Sequence, residues 1–268
     1  MDREKILSQI SVSDLVWQPE KHMKPILDGI EIDLGSGEFY GILGPNGAGK
    51  TSFVRQLLQL TGLTAGTIRY DEMSITEMPR KEIAKQVSFL PQGIKADIDF
   101  SVRQIVAMGR EPYSRFMSKL TDEDHEAIDE ALEYTDCMKF ADKSYQYLSG
   151  GERQRVMIAR TIAQSTPWII LDEPVSNLDV KHQSELLCLF DRLRREKHKT
   201  IVAILHDLNI AMNFCSKVIL MKDGHVCIFG DTEEVLNAEN LEEMYGIPFD
   251  FVKREDPHKT VIVPRYRQ

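Results

Sequence analysis

Unbroken apolar runs alternate along the chain with segments that carry a single apolar stripe, the pattern of buried strands alternating with amphipathic helices. Phe39-Tyr40-Gly41-Ile42-Leu43 predicts a buried strand, and Phe53, Val54, Leu57 and Leu58 then recur at helical spacing. Upstream, residues 6–16 and 26–34 alternate loosely as β-structure, and Gly35-Ser36-Gly37 marks a turn into the next strand. Residues 86–90 predict a further strand that stops at Pro91. From Gln92 to about Pro167 the pattern is helical. Thr121-Asp122-Glu123-Asp124 is a capping signal, Ile128, Ala131 and Leu132 follow at helical spacing, and residues 151–164 predict another helix. Strand patterns return at 168–171, 200–205 and 217–221, and Asp223-Gly224 predicts a hairpin turn into a strand at 225–229. A helical block is thus inserted between strands of an α/β core. There is no internal repeat, low-complexity tract or long linker.

Length and charge narrow the class. The chain has 268 residues, 42% hydrophobic and 28% charged, enough for one large domain or two small ones with a sizeable core. A net charge of −9 argues against nucleic acid as a partner, because phosphate contacts need a basic face. Cys137, Cys188, Cys215 and Cys227 show no C-x-x-C pairing and read as buried small apolar residues in a reducing compartment. The N-terminal Met1-Asp2-Arg3-Glu4-Lys5 lacks the apolar stretch of a signal peptide. No apolar run approaches the roughly 18 residues needed to span a bilayer, so a membrane role is expected to come through a partner.

The chemistry starts at Gly44-Pro45-Asn46-Gly47-Ala48-Gly49-Lys50-Thr51, which matches G-x-x-x-x-G-K-[ST]. Glycines let the backbone wrap and aim several N–H groups at one phosphate chain. Lys50 adds positive charge for the β- and γ-phosphates, and the Thr51 hydroxyl can ligate Mg²⁺. The predicted strand, glycine loop and helix form the context this motif requires, so nucleotide binding is expected. A second site is Trp168-Ile169-Ile170-Leu171-Asp172-Glu173-Pro174, a buried strand delivering two carboxylates at its C-terminal end, where open α/β sheets bind ligands. Asp172 is placed to hold Mg²⁺ and Glu173 to polarise an attacking water. A third is Leu148-Ser149-Gly150-Gly151-Glu152-Arg153-Gln154-Arg155, whose Ser-Gly-Gly at a helix start is an anion site of free N–H groups, a hydroxyl and a favourable dipole.

The third string resembles, without departure, the signature motif of ATP-binding-cassette ATPases, and the resemblance covers nearly the whole chain. Gln92 after Leu90-Pro91 matches the family's Q-loop glutamine, Ser176-Asn177-Leu178-Asp179 its D-loop, and His206 after Ala203-Ile204-Leu205 its switch histidine. Trp17 stands where the family places an aromatic that stacks on adenine. Val175 departs from the more usual Thr. The resemblance implies a P-loop NTPase (RecA-like) core, residues 1–92 and 167–268, with an N-terminal antiparallel β-subdomain and an inserted helical subdomain at 93–166. It implies ATP and Mg²⁺ as ligands. Glu173, His206, Lys50 and Gln92 would act in hydrolysis, and Thr51, Gln92 and Asp172 would hold the metal. Trp17, residues 44–52 including Ser52, Ser149, Gly151 and Asp179 would bind nucleotide. Two copies would pair head to tail around two ATP molecules, Ser149 and Gly151 of one meeting the γ-phosphate held by the other's Lys50.

The stretch Ser101-Val102-Arg103-Gln104-Ile105-Val106-Ala107-Met108-Gly109-Arg110-Glu111-Pro112-Tyr113 resembles importers of iron–siderophore, haem and cobalamin. Leu178-Asp179-Val180-Lys181-His182-Gln183 and the tail from Glu243-Met244-Tyr245-Gly246-Ile247 to Val263-Pro264 do as well. That implies a peripheral ATPase subunit on the cytoplasmic face of the membrane, with integral-membrane permease subunits and, indirectly, an extracytoplasmic substrate-binding protein as partners. The permease is expected near Gln92 and residues 101–113. A DNA-repair or translation ATPase would need a coiled-coil insertion or a second cassette, which the sequence lacks. A dead binding module is disfavoured by the intact Lys50, Asp172, Glu173 and His206.

Overall fold

The structure is a computed structural model that describes residues 7–93, 99–114, 119–176, 178–253 and 260–265. From the N-terminal side, β1 (Gln9–Trp17), β2 (Leu27–Gly35), β3 (Phe39–Leu43), α1 (Lys50–Leu57), β4 (Ala65–Tyr70), β5 (Met73–Ser74), α2 (Arg80–Gln86) and β6 (Val87–Leu90) come first. The helices α3 (Val102–Ala107), α4 (Asp122–Tyr134) and α5 (Gly150–Ala163) follow. Then come β7 (Trp168–Asp172), α6 (Val180–Lys197), β8 (Thr200–Ile204), α7 (Leu208–Phe214), β9 (Lys217–Lys222) and β10 (His225–Asp231). The chain closes with α8 (Thr232–Val235), α9 (Ala238–Tyr245), β11 (Phe249–Lys253) and β12 (Thr260–Pro264).

The main sheet has the order β10-β9-β3-β8-β7-β6 and is parallel except for β10, which turns back along β9. A second, antiparallel sheet runs β2-β1-β4-β5, and β11 pairs with β12. Strands β3, β7 and β8 bury every residue, as unbroken apolar runs covered on both faces should. Their period of two sorts side chains between two cores. Phe39, Leu43, Ile169, Leu171, Ile201 and Ala203 face a core shared with α3–α7. Tyr40, Ile42, Trp168, Ile170, Val202 and Ile204 face the other, shared with α1 and the antiparallel sheet. There Phe53, Val54 and Leu57 are fully buried, about 1.5–3 kcal/mol each by transfer. The loose alternation of β1 has a local cause: its register shifts between Val12 and Leu15, with Asp14 at φ 48°. Gly66 packs against that kink, where a Cβ would stand 2.2 Å from the Asp14 carbonyl oxygen.

Several boundaries differ from the sequence reading. Gln86 ends α2, so the strand begins at Val87; the helix expected at 151–164 runs Gly150–Ala163; and β10 continues to Asp231. The cysteines split. Cys137 and Cys215 are buried, whereas Cys188 and Cys227 are exposed, which corrects the expectation of four buried thiols. The importer-like stretch also has a structural task. Gly109 lies so close to α5 that a Cβ would stand 2.3 Å from the Arg160 carbonyl oxygen. Arg110 is buried, pairs with Asp124 at 2.7 Å, and donates to the Ala163 carbonyl at 2.9 Å. One guanidinium thus joins the turn after α3, the first turn of α4 and the end of α5.

Candidate active site

The C-terminal ends of β3, β6, β7 and β8 carry the candidate residues to one edge of the main sheet. Gly44 leaves β3 at φ 145°, and a Cβ there would lie 1.9 Å from the Met221 carbonyl oxygen, so only glycine fits. The loop ends at Gly49, φ 93°, which caps α1 without a side-chain bond, and no acidic residue lies in the first turn. The N–H groups of that turn therefore present partial positive charge to an anion. Lys50 is buried beneath them, its Nζ donating to the carbonyls of Gly44 at 2.7 Å and Pro45 at 2.9 Å. Burial pushes this ammonium below its usual pKa, against Glu173 and Asp172, whose charges favour the proton.

Asp172 ends β7, with Thr51 Oγ1 3.4 Å from its Oδ1. Burial first, then the neighbouring Glu173, push the Asp172 carboxyl above its ordinary pKa, while Thr51, Arg55 and His206 oppose the shift. A buried carboxylate beside a hydroxyl, with the Gln92 amide close by through Glu173, is a set of hard oxygen donors suited to Mg²⁺. Among the described residues no group of three or more His, Cys, Asp or Glu is arranged to hold a metal. A cation here would complete its shell with phosphate oxygens and water.

Glu173 turns off the strand at φ 51°, a left-handed conformation unusual for glutamate. Its two oxygens are both engaged: Gln92 Nε2 donates to Oε2 at 2.5 Å, and His206 Nε2 lies 2.5 Å from Oε1. Gln92 follows β6 and His206 follows β8, the strands nearest β7 on either side. Trp17 ends β1 opposite Leu27, whose side chain abuts Gly49, so this strand end lies beside the phosphate loop.

The signature turn is built differently from its sequence reading. Ser149 caps α5, but its hydroxyl and N–H both donate to the Glu152 carboxylate, at 2.7 and 2.9 Å. The hydroxyl expected to serve the anion site is taken by a capping box that Ser149-x-x-Glu152 already spells. Gly150, Gly151, Gln154 and Glu173 line a cleft of about 280 Å³ together with Ser176 and Leu178. Asp179 caps α6 and contacts His182. A larger cleft, about 670 Å³ between β4–β5 and α2, contains none of the candidate residues. Two neighbours that the sequence reading named only within importer-like strings, not as site residues, are His182, between Asp179 and Gly151, and Tyr245, whose hydroxyl meets the backbone of Gly44.

Comparison with known proteins agrees with this geometry. The family model for "ABC transporter" matches residues 27–176. The hemin import ATP-binding protein of Rhodococcus jostii is 36% identical over 245 residues, 91% of this chain and 83% of its own length. The ferric enterobactin transport ATP-binding protein of Escherichia coli is 36% identical over 222 residues, 83% of this chain and 82% of its own length. An inward-facing structure of a metal-chelate type ABC transporter superposes with a TM-score of 0.83 at 28% identity, covering 97% of this chain and 98% of that one. A dimeric ATP-binding cassette in a post-hydrolysis state with ADP and phosphate superposes with a TM-score of 0.71 at 25% identity, covering 83% and 98%.

Proposed function

The chain belongs to the ABC transporter family as an ATP-hydrolysing subunit, and from that premise we propose that it powers import of a metal chelate, an iron–siderophore complex. The observation that carries the hydrolytic part of this reading is the Gln92–Glu173–His206 cluster on the sheet edge that holds Lys50, Thr51 and Asp172; the importer part rests on the relatives above. The residues 44–52, with the first-turn amides of α1 and the Lys50 ammonium, hold the β- and γ-phosphates. Trp17 stacks on the adenine. Glu173 takes the proton of the attacking water as the γ-phosphorus parts from the bridging oxygen, which leaves with ADP. His206 steadies both Glu173 and the γ-phosphate, and Gln92 holds the other carboxylate oxygen. Thr51, Asp172 and Gln92 would hold Mg²⁺, which would supply neutralising charge beside the phosphates.

Two copies pair head to tail, with Ser149, Gly151 and Asp179 of each facing the nucleotide of the other. The dimeric cassette with ADP and phosphate supports this arrangement. Residues 93–166 form a helical subdomain inserted in a core of 1–92 and 167–268. The chain sits on the cytoplasmic face of the membrane against permease subunits, near Gln92 and residues 101–113, and serves an extracytoplasmic substrate-binding protein through them. In support, no helix among the described residues is long and apolar enough to cross a membrane. The ferric enterobactin relative supports the siderophore; the hemin relative supports haem as the second reading.

The test is purification of the tagged chain from membranes, followed by uptake assays in cells lacking it. Recovery with a permease and restored uptake of ferric siderophore supports the proposal. Restored haem uptake alone moves the substrate to the second reading. Recovery without any membrane protein overturns the importer role.

A further inference from the structure

His182 has no part in the hydrolysis scheme above, yet it stands between two elements that do. Its Nδ1 lies 2.6 Å from Asp179 Oδ2, and its backbone N–H donates to Asp179 Oδ1 at 3.0 Å. An ionised carboxylate only accepts, so Nδ1 carries the proton and one residue holds both oxygens of Asp179. The other edge of the ring faces α5. A Cβ built on Gly151 would have His182 Cδ2 at 3.7 Å and Nε2 at 3.8 Å as its nearest neighbours, ordinary van der Waals contact. The imidazole therefore bonds the D-loop carboxylate on one edge and stands beside the glycine turn of the signature helix on the other.

The intervening loop does not need His182 for its shape. Ser176 Oγ donates to the Glu173 carbonyl at 2.9 Å, and Gln154 Nε2 donates to the Pro174 carbonyl at 3.0 Å. Gln183 Nε2 donates to the carbonyls of Val175 at 3.3 Å and Leu178 at 3.0 Å. The His182 and Asp179 side chains are 42% and 65% exposed, so neither fills a core position. What is left for the imidazole is the relative placement of Asp179 and the Gly150-Gly151 turn.

We propose that His182 is a positioning residue that ties Asp179 to the Gly150-Gly151 turn, so that the two surfaces one copy offers to its partner's nucleotide move together. This rests on the head-to-tail pairing proposed above. An anion seated at the start of α5 moves the glycine turn, the ring transmits that shift to Asp179, and by linkage the placement of Asp179 changes the turn's affinity for the anion. Removing the ring uncouples the two surfaces without touching the chain's own phosphate loop.

The experiment compares the parent with His182→Ala, His182→Asn and His182→Phe, measuring ATP affinity at low protein concentration, kcat, the Hill coefficient for ATP and Tm. In His182→Ala, ATP affinity of the single chain stays at the parent value, kcat falls about tenfold and the Hill coefficient falls toward one. His182→Asn, whose amide can donate to Asp179 in place of Nδ1, recovers most of kcat; His182→Phe, which keeps a ring beside Gly151 and lacks the donor, does not. Unchanged kcat and Hill coefficient in His182→Ala overturn the proposal. Equal losses in His182→Ala and His182→Asn, with a parallel fall in Tm, assign the ring to packing and overturn it as well. Light scattering of Glu173→Gln with ATP separates the two readings. A monomer overturns the pairing and the coupling with it, whereas a dimer beside an unaffected His182→Ala overturns only the role of His182.

Discussion

His206 Nε2 lies 2.5 Å from Glu173 Oε1, on a glutamate whose other oxygen accepts from Gln92 at 2.5 Å. One partner on each oxygen holds the carboxylate in place and still leaves lone pairs free to take a proton from water. The loops after β6 and β8 therefore both act on the same group.

Replacing Glu173 by Gln keeps the size of the side chain and removes the proton acceptor. Turnover should fall by about 10²–10⁴-fold while ATP still binds. An ATPase assay beside light scattering with Mg-ATP checks both halves, and hydrolysis at the parent rate would remove Glu173 from the chemistry. A dimer holding two ATP is the expected product.

Lys50 is the buried cation closest to the expected phosphates. Lys50→Ala should weaken ATP binding by about 10–150-fold, the range for losing a charge-assisted hydrogen bond, and abolish turnover. Calorimetric titration with ATP reads the first effect; parent-like affinity would show that the loop amides suffice alone.

Trp17→Ala should cost about 1–3 kcal/mol of ATP affinity, as base–aromatic stacking does. The loss should vanish when the ligand is inorganic triphosphate, which has no base. An equal loss with triphosphate would place Trp17 among the supports of the phosphate loop, through Leu27 and Gly49.

Asp172 trades stability for chemistry. Burial, then Glu173, raise its pKa in the folded chain, so the folded state binds the proton more tightly than the unfolded one. Ionised Asp172 therefore destabilises the fold at neutral pH, and that destabilisation fades as pH falls from the raised value toward the ordinary aspartate range. Asp172→Asn should raise Tm at neutral pH without nucleotide and lower turnover by orders of magnitude. A lower Tm in scanning calorimetry would contradict the sign.

The Arg110–Asp124 pair carries the opposite sign. Burial pushes Asp124 up, but the Thr121 backbone and the Arg110 guanidinium outweigh it and hold the carboxyl below its usual range. Its contribution is present at neutral pH and lost as pH falls through the lowered pKa. Asp124→Ala leaves Arg110 buried without its anion and should cost about 3–5 kcal/mol in urea unfolding. The difference from the parent should shrink in acid.

The parts legible in the sequence are those that one contiguous segment specifies. Gly44 to Thr51 must wrap a phosphate, Trp168 to Leu171 must be buried on both faces, and Ser149-Gly150-Gly151-Glu152 must start a helix; no distant residue alters those local demands. Periodicity located most strands to within two residues for the same reason. It faltered at β1, where a bulge at Asp14 breaks the alternation, and at Gln86, where helix and strand meet without a turn residue.

Partnership between distant segments was decided by the tertiary structure alone. No local pattern orders the strands β10-β9-β3-β8-β7-β6, and that order is what brings Gln92, Glu173 and His206 within hydrogen-bond reach across 81 residues in one case. Gly44 is required by the Met221 carbonyl, a partner 177 positions away by residue number (221 − 44), and Gly151 faces an imidazole on another helix. The Ser149 hydroxyl, read as part of an anion site, is a cap because Glu152 lies one turn above it. Sequence encodes a residue's own backbone and solvent preferences. Distances between segments arise only when the two cores form on either face of the sheet, because packing then sets which side chains can meet.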